Sequence, residues 1–98
     1  MNAEEIETRL VAEFGYPPHA AQAVAEKVVA LTPIVRPAFE QWWTNGRLPT
    51  LAVADYSAER LMREHGMNPV AALLTLDWLV REPEKASASL RKGHDRIR

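Results

Sequence analysis

An all-α fold is predicted by three features of the chain. Apolar residues recur at the three- and four-residue spacing of helices along most of it. Asn, Ser or Thr stands just before several of these runs, in the position that caps a helix start. Glycine or proline then marks where the runs end. The architecture expected is a compact bundle of five or six short helices built from two similar helix-turn-helix hairpins. A short extended segment near residues 48–55 is expected to interrupt them.

The elements follow in order. Asn2 can cap a helix whose apolar face is Ala3, Ile6, Leu10 and Phe14, with Glu5 in the capping-box position and Gly15 as the stop. Pro18 suits the first turn of a second helix running to about Leu31. Its apolar face is rich in alanine (Ala20, Ala21, Ala25), which lets a partner helix approach closely, while His19, Gln22 and Glu26 lie opposite. Thr32–Pro33 repeats the cap-plus-proline signal. Pro37 places a loose turn at 33–36 and a firmer helix from Pro37 to about Thr44, closed by Asn45–Gly46. Residues 47–56, RLPTLAVADY, lack helical signals, and the alternation of Leu51 and Val53 predicts an extended piece lying on the core. Ser57 caps a fourth helix, with Tyr56 and Leu61 at the hydrophobic-staple positions and Gly66 as the stop. Asn68–Pro69 opens a fifth helix that is apolar almost all round, leaving Ala71, Thr75 and Glu82 as its exposed strip, so it is expected at the centre. A sixth helix, carrying Ala86 and Leu90 inward, is expected to end at Gly93. The division that results is a single helical domain over 1–93 and a basic C-terminal tail over 94–98.

Residues 9–31 and 60–82 align without gaps. Arg9/Arg60, Leu10/Leu61, Glu13/Glu64, Gly15/Gly66, Pro18/Pro69, Ala20/Ala71, Ala21/Ala72 and Val29/Val80 are identical pairs. One reading is a duplicated three-helix unit that buries a shared face. The other is that any two helix–Gly–Pro–helix hairpins share such punctuation for the same physical reasons.

Composition narrows the function. The 98 residues are 47% hydrophobic and 26% charged, so one core can form without staples; at this size about 65% of the unfolded surface is buried. With no cysteine, disulfide frameworks and thiolate metal sites are excluded. The net charge of −1 argues against coating nucleic acid, or binding an anionic membrane, by bulk charge. The acidic start MNAEEIETRL is unlike a signal or transit peptide, and no apolar run approaches the roughly 20 residues of a membrane span. A cytoplasmic protein that does not engage membranes is expected.

The segment 58–81 resembles a DNA-binding helix-turn-helix, with a short helix, a glycine in the turn and a longer second helix. That resemblance implies Arg, Lys, Asn or Gln at the exposed start of the second helix, where this chain has Ala71 and Thr75. The earlier hairpin exposes His19 and Gln22, but Glu4, Glu5, Glu7, Glu13 and Glu26 around them would repel phosphate. Phe14-Gly15-Tyr16 ahead of an alanine-rich helix resembles the Gly–aromatic turn of ubiquitin-associated-type three-helix modules. His65-Gly66-Met67 is a weaker form of that turn. That resemblance implies a small helical interaction module as a class and assigns no binding residue.

Two groups of residues are candidates for interaction. Trp42 and Trp43 are adjacent on one helix and so point about 100° apart. Trp42 belongs on the core face. Trp43 is either partly exposed, with Arg47 nearby as an interface anchor, or covered by the 47–56 segment. Arg91, Lys92, Arg96 and Arg98 put positive charge at one end of a chain whose other end is acidic. They either dock on phosphates or an acidic partner, or complement a helix C-terminus. Catalytic, cofactor and metal residues are not identified: His19, His65 and His94 are scattered, and no phosphate-binding glycine loop exists. Asp77, on the apolar helix, is either a buried acid of functional use, or a partner of Arg81 one turn on, or a cap for a neighbouring helix. The expectation is a non-enzymatic adaptor, inhibitor or subunit that docks on a larger macromolecule. A nucleic-acid-associated protein using the basic tail is the alternative, and self-association through the Trp43 patch is a third arrangement.

Overall fold

The computed structural model describes the backbone of residues 2–97 and the side chains of residues 2–92. Six helices are present among the described residues: α1 (Ala3–Phe14), α2 (Pro18–Val29), α3 (Arg36–Asn45), α4 (Ala58–His65), α5 (Pro69–Arg81) and α6 (Pro83–Ile97). Between α3 and α4 lie two short strands, β1 (Ala52–Val53) and β2 (Tyr56–Ser57). The backbone falls into two units, Met1–Leu31 and Thr32–Arg98.

The first unit is the α1–α2 hairpin. Asn2 Oδ1 accepts from the Glu5 N–H at 2.9 Å, so α1 starts on the expected cap. It ends at Gly15, whose φ of +69° is left-handed backbone that a residue with a Cβ adopts only at a cost. The N–H groups of Gly15 and Tyr16 both donate to the Leu10 carbonyl. Pro18 opens α2 without a side-chain cap, its missing N–H being one the first turn would leave unbonded anyway. The two helices pack on each other. Ile6 and Leu10 of α1, and Ala21, Ala25 and Val28 of α2, are buried. The small side chains at 21 and 25 suit close contact between the helices.

The second unit is organised on α5, which packs against α4, α6 and both strands. Asn68 caps it through its Oδ1 and the Ala71 N–H, at 2.8 Å. Val70, Ala72, Leu73, Leu76 and Leu79 are buried, and no residue from Pro69 to Val80 is fully exposed. The strip expected at Ala71 and Thr75 is therefore half-covered. There the Thr75 hydroxyl donates back to the Ala71 carbonyl at 2.8 Å. Ser57 caps α4 by accepting from the Arg60 N–H at 3.1 Å, and Gly66, at φ +66°, ends it.

Two expectations are corrected. The extended segment is a β-hairpin displaced toward the C-terminus. Its register pairs Ala52 with Ser57 and Val53 with Tyr56, and the two-residue turn is Ala54–Asp55 with φ of +50° and +70°. Positive φ at both positions is the requirement of a type I′ turn, which matches the twist of the strands it joins. Ser57 thus ends β2 and caps α4 at once. The second correction concerns α6, which does not stop at Gly93 but continues to Ile97. A glycine inside a helix costs only about 0.5–1 kcal/mol relative to alanine, and it can be carried within one. Residues 94–97, expected as tail, are therefore helical in backbone.

Candidate interaction surface

α3 carries the aromatic residues singled out in the sequence. Its first residue is Arg36, with Pro37 second, where a proline costs no intrahelical hydrogen bond. Gly46, at φ +72°, closes it by donating to the Trp42 carbonyl at 2.7 Å. Phe39 is fully buried and Trp42 is 8% exposed, so this face belongs to the core. Trp43 is half-buried. Its ring stacks on Phe39, with centroids 5.5 Å apart and planes at 22°, and tilts against Trp42 at 5.9 Å. Phe39 and Trp42 meet edge to face at 5.7 Å. Trp43 is thereby an aromatic packed against two others, with part of its surface open. Arg47, just past the helix end, is exposed. Ile34, in the turn ahead of α3, is 57% exposed and adds apolar surface to the same segment.

A second cluster, which the sequence reading did not assemble, centres on Arg60. Its guanidinium lies over the Tyr56 ring, 4.7 Å from the centroid. Nη1 donates to the Asp55 carbonyl at 2.8 Å, and Nε pairs with Glu64 at 3.0 Å. The His65 ring stands 6.2 Å from the Tyr56 ring. Arg60 so ties the hairpin turn to α4. The Arg60–Glu64 spacing was legible as a helical i,i+4 pair, but the carbonyl contact required knowing that residues 54 and 55 turn back. Tyr56 faces Arg60 and His65.

Asp77, 6% exposed, is the partner of Arg81 as expected, but it caps no helix: its other bonds go to Thr32, ahead of the uncapped start of α3. Oδ2 accepts from Arg81 Nε at 2.8 Å, one turn along α5. Oδ1 accepts from the Thr32 N–H at 2.9 Å and from its hydroxyl at 2.7 Å. A carboxylate with three donors is a satisfied structural acid.

Of the remaining candidates, Arg91 and Lys92 are exposed on α6. The Arg96 side chain and the whole of Arg98 lie outside the described residues. His19 and Gln22 are exposed on α2, as are Glu4, Glu5, Glu13 and Glu26 in the same unit, with Glu7 half-covered. Shallow depressions run along α1, lined by Asn2, Glu4, Glu5, Thr8 and Arg9, and by Glu4, Glu7, Thr8, Val11 and Ala12. Both are open to solvent and neither gathers converging buried polar groups, the mark of a small-molecule site. Among the described residues no group of three or more His, Asp or Glu is placed to hold a metal ion. No helix of the described residues is long and apolar enough to cross a membrane. Comparison with known proteins finds no matching family model, no similar curated protein and no similar solved structure.

Proposed function

We propose that this chain is a non-catalytic helical interaction module, an adaptor, inhibitor or subunit whose docking surface centres on Trp43 and Arg47. The observation that carries the reading is the Trp43 stack. An aromatic already packed against Phe39 and Trp42 has less conformational freedom to lose on binding, and Trp and Arg are the residue types that anchor protein interfaces. The exposed Ile34 supports the same face of function without entering the stack.

Two variants test it. Arg47→Glu changes an exposed charge and should leave the fold within about 0.5 kcal/mol of the parent. Trp43→Phe keeps a ring on Phe39 but removes the indole edge. Partners captured from native-cell lysate by the parent protein should be lost from both variants at unchanged helicity. Retention of every captured partner by both variants would refute the reading. Solution mass over a concentration series tests whether the partner is a second copy.

A nucleic-acid role is a second reading, supported by exposed Arg91 and Lys92 on α6. The start of α5 has no base-reading side chain at Ala71 or Thr75, so the reading is limited to phosphate contact. It requires binding at low salt that falls steeply as salt rises, with a slope reduced when Arg91, Lys92, Arg96 and Arg98 are neutralised.

A duplicated origin for the two hairpins is part of the proposal. Its support is that several positions 51 apart are buried in both members, although others, such as Gln22/Leu73 and Leu31/Glu82, differ. The pairs Leu10/Leu61, Ala21/Ala72, Ala25/Leu76, Val28/Leu79, Val35/Ala86 and Phe39/Leu90 are buried in both members. Arg9–Glu13 and Arg60–Glu64 are ion pairs of the same kind. Gly15 and Gly66 close their helices with nearly the same backbone angles.

A further inference from the structure

The start of α3 is held in an uncommon way. Val35, at its N-cap position, offers no side-chain hydrogen bond, and Pro33 and Pro37 remove two backbone donors from this stretch. Thr32 looks like a local cap, but its hydroxyl does not accept from the turn that follows. It donates instead to Asp77, a residue 45 positions away on α5, and the Thr32 N–H donates to the same oxygen. The Thr32 carbonyl in turn accepts from the Val35 and Arg36 N–H groups, at 3.1 and 2.9 Å, which sets the first turn of α3. A buried carboxylate on the central helix thus fixes the residue from which α3 is launched. Arg81 holds that carboxylate from its other oxygen, at 2.8 Å.

We propose that Asp77 is a latch on α3: the Thr32–Asp77–Arg81 chain of hydrogen bonds sets how often the segment from Thr32 to Asn45 opens from the rest of its unit. The opened state exposes Phe39 and Trp42 while α4 and α5 remain folded. Domains open in sub-global units of differing free energy, and the buried Val35, Phe39 and Trp42 add to the cost of opening this one. The inference concerns how α3 is held and does not depend on what Trp43 contacts.

Native-state hydrogen exchange in low urea tests it. In the parent protein the α3 amides should exchange as a block, with a smaller urea dependence than the amides of α5. Thr32→Val keeps the side-chain shape and removes the hydroxyl donor, and should speed α3 exchange about tenfold. Asp77→Ala removes all three bonds and should speed it about a hundredfold. If Asp77→Ala does not fold, Thr32→Val decides. The latch is overturned if α3 amides share the urea dependence of α5, since α3 then opens only on global unfolding. It is also overturned if Thr32→Val leaves the α3 rates within twofold of the parent.

Discussion

The hairpin turn gives the sharpest quantitative test of the backbone. Ala54 and Asp55 occupy φ of +50° and +70°, and neither is glycine. Left-handed backbone costs an ordinary L-residue about 1–2 kcal/mol, somewhat less for Asp, whose side chain bonds locally. Asn at the first turn position and Gly at the second are the residues a type I′ turn favours. Glycine returns about 0.5–1 kcal/mol of that relief as extra freedom of the unfolded chain. The pair Ala54→Asn with Asp55→Gly should therefore stabilise the protein by about 1 kcal/mol. Both positions are exposed, so no burial changes. The contact from Arg60 is to the Asp55 main-chain carbonyl and survives either substitution. In a domain of this size, 1 kcal/mol raises Tm by about 4–8 °C. Urea and thermal unfolding followed by circular dichroism read the effect. Asp55→Val, β-branched at the same φ, should destabilise by about 1 kcal/mol or more. A destabilised Asn-Gly variant, or equal effects of Val and Gly at position 55, would refute the left-handed turn.

Other expectations follow from the same geometry. Gly15→Ala and Gly66→Ala should each cost about 1 kcal/mol, because a Cβ at either position meets no atom within 4 Å and the penalty is purely conformational. Unequal costs, differing by several-fold in chemical denaturation, would contradict the shared cap geometry. Ser57→Ala should lose about 1 kcal/mol through the missing bond to the Arg60 N–H, measured the same way. Leu73→Ala, at a fully buried site on α5, should cost about 3–5 kcal/mol and lower the urea midpoint accordingly. A loss below 1 kcal/mol there would mean that α5 is not central.

Helix starts were readable because their chemistry is local. Asn2, Ser57 and Asn68 all accept from the N–H three residues on, as their types suggest. The burial of α5 was also readable, since a helix apolar on every side has only one stable place. Trp42 and Trp43 divided as the 100° step between them requires. The hairpin was hidden because Ala-Asp lacks the glycine that announces a two-residue turn, and its strands are two residues each. The end of α6 was misplaced because Gly93 was read as a stop where the helix continues. Thr32 has the residue type of a local cap, but its hydroxyl and N–H donate to Asp77 instead. Nothing in its neighbours points to Asp77, although Asp77 itself stood out as an acid on an apolar helix.

The stacking of Trp43 also decides how the docking surface should be probed. Trp43→Ala would strip the contact with Phe39 and confuse loss of binding with loss of packing. Arg47 is exposed and has no such entanglement with the core. The most direct measurement is therefore partner capture from native-cell lysate by the parent protein and by Arg47→Glu, matched for helicity and urea midpoint. An interaction module centred on Trp43 and Arg47 requires that the captured partner be lost, or its Kd raised at least tenfold, in Arg47→Glu. Undiminished capture by that variant and by Trp43→Phe would contradict the account.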